Sequence, residues 1–340
     1  MGPVHLVRGT TGAAVADLQG RLWALGFPCG GNEGQHAPGP GGGDAGVGAH
    51  FDARTEEAVR AFQRERGLRT DGVCGPQTWA TLVEAGYRLG DRPLYLRRPK
   101  LRGDDVAELQ RRLGALGFDA GRIDGIFGND TVRALADFQR NVALPVDGIC
   151  GRGTLDELER LRAHTSPDAL LPGIREREHL RGAPRTLTGR RVAVGHHGEL
   201  GAVVEAARRS LMAAGAYAIT LFHPDGSSLA GQANAAGAEV YLGLGLHPAQ
   251  PTCQVSFYRG YRQESAGGRR LAELLGSHLT RLPWAGGATV AGMSVPELRE
   301  TRMIAVVCDL NAPGLAVQRA PEIATCLRLA LASWVGDPWG

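Results

Sequence analysis

The sequence predicts a multidomain chain: two small three-helix units in tandem, followed by an α/β domain with a largely parallel sheet. Three observations predict it. A long phrase occurs twice at a constant interval, since Phe51 and Phe127, Phe62 and Phe138, and Cys74 and Cys150 all lie 76 residues apart. Within each copy the apolar residues recur at helical spacing between turn glycines. From Arg190 onward, short apolar runs alternate with amphipathic stretches, as in sheets covered by helices on both sides.

The first copy contains Phe51-Asp52-Ala53-Arg54-Thr55, Phe62-Gln63 and Asp71-Gly72-Val73-Cys74-Gly75 with Thr78. The second contains Phe127-Gly128-Asn129-Asp130-Thr131, Phe138-Gln139 and Asp147-Gly148-Ile149-Cys150-Gly151 with Thr154. Their leading halves match as well, with Val15, Leu18, Gln19, Leu22, Gly26 and Phe27 against Val106, Leu109, Gln110, Leu113, Gly117 and Phe118, at an interval of 91. The first copy therefore carries a fifteen-residue insertion between Phe27 and Phe51, around Gly39-Pro40-Gly41-Gly42-Gly43, which reads as a mobile loop over about 28–50. In the second copy Asp104 is placed to cap a first helix that Gly117 ends. A second helix is expected over 129–141, and a third after the Asp147-Gly148 turn, with Thr154-x-x-Glu157 in capping-box form. The units span 1–86 and 97–162, and without paired carboxylates or a Cys/His cluster they read as binding modules.

Residues 163–188 read as a linker through Pro167, Pro172 and Pro184, with the charge run Arg175-Glu176-Arg177-Glu178 as a solvated surface. The third domain, 189–338, has expected strands at 192–194, 218–222, 240–244, 255–258 and 304–308. Its helices are expected at 200–214, 228–236, 268–282 and 321–335.

Composition narrows the function. A formal net charge of +3, with basic residues scattered rather than striped among aromatics, argues against nucleic acid. No apolar run approaches the roughly 18 residues of a membrane span. Residues 1–8 lack a charged region followed by an apolar one, so the sequence as written is expected in the cytoplasm, or at the cell wall if the true start lies upstream. The six cysteines form no C-x-x-C pair and read as buried free thiols. In open α/β sheets, sites gather beyond the carboxyl ends of strands. There stand His196 and His197, then His247, then Asp309, with Glu199 or Glu205 nearby. Two imidazoles, a carboxylate and an open position make the inventory of a catalytic Zn²⁺ centre, with a further carboxylate as general base.

The phrase V-x-x-L-Q-x-x-L-x-x-L-G-F, then F-G-x-x-T, A-x-x-x-F-Q and D-G-x-x-G-x-x-T resembles the peptidoglycan-binding type 1 module, present here twice. This resemblance implies recognition of peptidoglycan or its lipid-linked precursor beside the D-G turns, at Asp71, Gly72 and Gly75 and at Asp147, Gly148 and Gly151. The third domain resembles the amidase 3 family of zinc-dependent N-acetylmuramoyl-L-alanine amidases, through Gly195-His196-His197-Gly198, Leu211-x-x-x-Gly215, Ala233-Asn234 before the strand leading to His247, and Ala305-Val306-Val307-Cys308-Asp309-Leu310. That resemblance implies zinc held by His196 or His197, by Glu199 or Glu205, and by His247, with Asp309 at the position of the catalytic glutamate.

The motifs depart from the family pattern. Asp-Pro is missing before Gly195, the loop that normally separates the first histidine from the glutamate ligand is missing, and Asp309 is one methylene shorter than glutamate. Two modules ahead of an eroded amidase 3 domain resemble an actinobacterial group of cytoplasmic, non-hydrolytic regulators. This whole-chain resemblance implies a protein partner in cell-wall synthesis.

Overall fold

The computed structural model describes residues 5–29, 49–162, 176, 180, 184–247, 251–260 and 264–338. They fall into two compact units divided after Pro172. The expected mobile loop lies almost wholly outside the described residues, as does most of the expected linker. Among the described residues no helix is long and apolar enough to cross a membrane.

The first unit holds both modules. Helices α1 (Ala13–Ala24), α2 (Ala53–Glu65) and α3 (Pro76–Ala85) surround one core; α4 (Asp104–Ala115), α5 (Asn129–Asn141) and α6 (Arg152–Arg162) surround the other. The cores repeat the sequence register: Val15, Leu18, Phe51, Phe62 and Cys74 in one, Val106, Leu109, Phe127, Phe138 and Cys150 in the other. In each, two equivalent aromatics meet edge to face, Phe27 with Phe62 and Phe118 with Phe138. A short extended segment closes each core by pairing with the repeated turn, Leu6 with Cys74 and Leu94 with Cys150.

Two capping expectations are corrected. Gly103, not Asp104, is the N-cap of α4, and Asp104 enters the first turn. Thr154 lies inside α6, where its hydroxyl donates to Ile149 O instead of opening a capping box. The six thiols are free, and Cys74 and Cys150 are fully buried.

The second unit is a six-stranded sheet in the order β2-β1-β3-β6-β4-β5. Its strands are β1 (Arg191–His196), β2 (Tyr217–Phe222), β3 (Val240–Leu246), β4 (Cys253–Tyr258), β5 (Ala288–Met293) and β6 (Ile304–Leu310). All pairings are parallel except β4 with β6. The sheet is thus largely parallel, as expected, and β5 is an edge strand the sequence did not announce. Helices α7 (Gly201–Ala213), α9 (Ala266–Leu279) and α12 (Ala320–Gly336) supply the apolar residues that bury one face, with Val192, Val194, Leu242, Leu244, Val306 and Cys308 beneath them. Helices α8 (Gly226–Ala235) and α10 (Pro296–Arg299) cover the other, over Ala193, Tyr241, Ala305 and Val307. A short α11 (Pro313–Gln318) follows β6.

Glu176 corrects the reading of its charge run as solvated surface. Its half-buried carboxylate accepts from Ser265 Oγ at 2.9 Å and from Gly267 N at 2.6 Å, at the start of α9. A carboxylate on the open amides of a helix start satisfies donors that have no partner within the helix.

Candidate functional site

The repeated phrase of the modules is a closed hydrogen-bond circuit. Gln63, buried at the end of α2, donates from Nε2 to Asp71 Oδ1 (2.8 Å), Val73 O (3.0 Å) and Thr78 Oγ1 (3.1 Å), and its Oε1 accepts from Gly72 N (2.9 Å). Gln139 repeats this with Asp147 (2.8 Å), Ile149 O (3.0 Å), Thr154 (3.3 Å) and Gly148 N (3.0 Å). Gly72 and Gly148 adopt φ of 77° and 68°, which glycine tolerates without strain. The candidate residues Asp71, Gly72, Asp147 and Gly148 therefore build the turns, while Gly75 and Gly151 precede α3 and α6. Exposed side chains flank the turns: Arg69 and Thr70 in the first module, Pro145, Val146 and Ile149 in the second.

A third copy of the circuit was not anticipated. Gln110 Nε2 donates to Asp124 Oδ1, Ile126 O and Thr131 Oγ1, and Gly125 N donates back to its Oε1. The second module is thus itself built from two half-repeats. In the first module Gln19 keeps the equivalents His50 O and Thr55 Oγ1, but Gly48 and Ala49 stand where Asp124 and Gly125 would be, at the end of the insertion.

In the α/β unit, strand alternation sorts the candidates. His196, the last residue of β1, follows Val192 and Val194 on the face beneath α7. Its ring lies 5.3 Å from Phe222, and its Nδ1 accepts from Gly198 N. Burial, then the neighbouring His197, push its pKa down, which favours a neutral ring. Asp309, buried in β6, pairs in register with Gly245 of β3 and shares the opposite face with Tyr241, Ala305 and Val307. A Cβ on Gly245 would collide with its carboxylate. His196 and Asp309 therefore lie on opposite sides of the sheet.

His197, one residue past the strand, turns the other way. Its Nδ1 is 3.1 Å from the His223 carbonyl oxygen and its Nε2 is 2.6 Å from Glu297 Oε1. A carbonyl only accepts, so Nδ1 carries a proton, and a second proton on Nε2 would be donated to the Glu297 carboxylate. The hydrogen bond to Glu297 accordingly raises the His197 pKa, against the opposing effect of burial. Glu297 projects from α10 with its side chain 9% exposed. Its carboxylate lies against Gly226, the first residue of α8, where only a residue without a Cβ leaves room. Burial and then the Glu297 charge push the Tyr241 hydroxyl far up, so it stays neutral. Glu297 and Tyr241 were not among the sequence candidates. Glu297 belongs to no motif, and its only sequence signal is Pro296, which opens a helical turn just before it.

The other candidates are placed apart. Glu199 is exposed in the turn after β1. Glu205 lies on α7, paired with Arg208 at 2.7 Å. His247 follows β3, its amide donating to Leu310 O. Zinc needs three protein donors around one point. Among the described residues no group of three or more His, Cys, Asp or Glu side chains could hold a metal ion. Among the described residues the donor set does not fit the zinc that the resemblance implies.

Comparison with known proteins agrees with this architecture. A putative peptidoglycan binding domain matches residues 11–82 and 102–158, which defines the first unit as a tandem of such modules. The N-acetylmuramoyl-L-alanine amidase CwlM of Mycobacterium tuberculosis (strain H37Rv) is 35% identical over 318 residues, covering 84% of this chain and 77% of that protein. The chain belongs to the N-acetylmuramoyl-L-alanine amidase family. The amidase CwlL of Bacillus licheniformis is 31% identical over 178 residues, 46% of this chain and 45% of that one. A solved N-acetylmuramoyl-L-alanine amidase from Clostridium difficile 630 aligns with 44% of this chain and 99% of its own, at 12% identity and a TM-score of 0.36.

Proposed function

We propose that the chain binds peptidoglycan or its lipid-linked precursor through the tandem modules and that its amidase-like domain is non-hydrolytic, acting on a protein partner in cell-wall synthesis. The observation that carries this reading is the state of His197. Nδ1 faces a carbonyl and Nε2 lies 2.6 Å from the buried Glu297 carboxylate, so both ring nitrogens are engaged within the protein, and a metal would have to displace Glu297 from Nε2 or share it. His196, Glu199 and Glu205 do not join it. In the modules, the surface framed by Asp71, Gly72 and Gly75, and by Asp147, Gly148 and Gly151, is the binding region. Buried glutamines hold the turns rigid, and the exposed flanks make contact.

A competing reading is an active amidase cutting the bond between the lactyl group and L-alanine. His197, His247 and Asp309 all stand at the carboxyl edge of the sheet, and a backbone carbonyl on Nδ1 is also how metal-binding histidines are commonly oriented.

The experiment measures zinc per chain after purification and stem-peptide release from muropeptides with Zn²⁺ added. Substoichiometric zinc, no release and saturable muropeptide binding are expected. Stoichiometric zinc with release that His247→Ala abolishes would overturn the non-hydrolytic reading.

A further inference from the structure

The two modules are joined by more than a connector. Arg66, at the end of α2 in the first module, donates from Nη1 to Asp104 Oδ1 (2.9 Å) and Oδ2 (2.8 Å) at the start of α4 in the second. Its side chain is 9% exposed and lies over the Phe62 ring at 5.7 Å. Arg92, in the connector, forks onto Asp105 through Nε (2.7 Å) and Nη2 (3.2 Å), donates to Arg102 O (2.7 Å) and stacks on Tyr87 at 3.6 Å. Asp105 is 1% exposed. Gly103, with φ of 158°, leaves space in which a Cβ would lie 3.2 Å from the Glu84 carbonyl of α3 and would strike the Asp105 carboxylate. Two arginine–aspartate couples, each with one partner largely buried, and a backbone approach fix α4 against α2, α3 and the connector. A flexible linker between independent modules would leave those charges in water, where exposed pairs contribute little.

We propose that the tandem is a single rigid two-site reader whose ligand is multi-unit peptidoglycan, a glycan strand or cross-linked fragment, rather than one monomeric disaccharide-peptide. This rests on the peptidoglycan-binding reading above. When two sites are held at fixed spacing, engagement of the second is intramolecular and carries no linker entropy, so affinity for a repeating ligand exceeds that for its monomer. The flanks of the two turns differ, Arg69 and Thr70 against Pro145, Val146 and Ile149, so the sites contact different parts of that repeating ligand.

The test uses the full chain and four variants: Arg66→Glu, Asp104→Arg, the exchange carrying both, and the milder Asp104→Asn. Backbone ¹⁵N relaxation reports whether the modules tumble together. Co-sedimentation with purified sacculi and titration with a monomeric disaccharide-peptide report binding. The single variants are expected to give the modules separate correlation times and to weaken sacculus binding about tenfold or more, with monomer affinity unchanged and the exchange restoring both. One shared correlation time in all variants would overturn the joint. Broken coupling with undiminished sacculus binding, or wild-type protein binding monomer as tightly as sacculi, would overturn the two-site reader while leaving peptidoglycan binding intact. Wild-type protein that binds neither probe would remove the binding reading and this inference with it.

Discussion

Replacing Gln63 with leucine tests whether the repeated phrase is primarily a folding device. The change conserves side-chain size at a buried position but removes all four hydrogen bonds of the circuit. Asp71 is exposed and regains water, and Thr78 Oγ1 keeps its bond to Val73 O at 3.3 Å. The chief loss is at Gly72 N and Val73 O, deprived of their glutamine partner. A buried backbone group left unpaired costs about 1–3 kcal/mol, and with Thr78 still serving Val73 O that cost falls on Gly72 N, for a loss of about 1–3 kcal/mol. A module of this size has a total stability of only a few kcal/mol to about 10 kcal/mol, so the circuit accounts for a large share of it. Hydrogen exchange read by mass spectrometry should show protection of α2 and α3 amides falling by about fivefold to a hundredfold. Gln77→Leu, at an exposed position of α3, should change protection little. A loss below about threefold for Gln63→Leu, or equal losses in both variants, would refute the reasoning.

Two other consequences follow from buried or paired groups. Burial alone would raise the Glu108 pKa, but hydrogen bonds from Arg111 and Arg112 outweigh it and hold the value at about 2. A depressed carboxylate contributes stability that is full above its unfolded pKa near 4.5 and is lost as pH falls towards 2. Glu108→Gln should therefore destabilise the second module by on the order of 1–2 kcal/mol at pH 7, after discounting for partial exposure, and flatten its loss of stability between pH 4.5 and 2 in urea titrations. Burial also pushes the Cys74 and Cys150 thiols up to about 12 and, with the nearby Asp52, the half-buried Cys29 up to about 11. A thiol-specific reagent at pH 8 should label Cys29 first and leave Cys74 and Cys150 untouched until denaturant is added; rapid labelling of either in native protein would contradict the core placement.

The parts of the fold written as repeated local chemistry were legible. Positions 129–141 form the expected helix because Leu135 and Phe138 share a face at helical spacing and Gly128 precedes the first turn. Strand β5 was missed because Gly286 and Gly287 stand directly before it, Gly292 breaks its short apolar run and its edge position leaves Thr289 and Val290 exposed, so neither alternation nor burial marked it. The half-repeat around Gln110 escaped because the spacing between glutamine and Asp-Gly differs between the halves, and only the hydrogen bonds reveal their equivalence. In the site, strand parity could place Asp309 on one face and His196 on the other. It could not foresee Glu297, whose meeting with His197 depends on how α10 folds back across the sheet, a long-range event without local signal.

The floor of that site shows why glycine is needed where a strand would normally lose stability from it. Gly195 of β1 and Gly243 of β3 lie on the same face as Tyr241, and a Cβ on Gly195 would run into the Tyr241 ring and hydroxyl. The tyrosine, 1% exposed, lies across both glycines, and its hydroxyl feels the charge of Glu297. Gly→Ala in a strand or helix interior ordinarily stabilises by about 0.5–1 kcal/mol. At Gly195 the sign should reverse, because a Cβ there meets the ring of a buried tyrosine in the core that also holds Leu229 and Leu298, and overpacking such a core costs about 1–3 kcal/mol. Gly231, in α8 with open space where its Cβ would point, supplies the contrast, and Gly231→Ala should stabilise by about 0.5–1 kcal/mol. Thermal unfolding of the two variants reads the difference. If Gly195→Ala matched Gly231→Ala in sign, Tyr241 would not be the rigid filler of this face, and the space beside His197 and Glu297 would be open to a ligand.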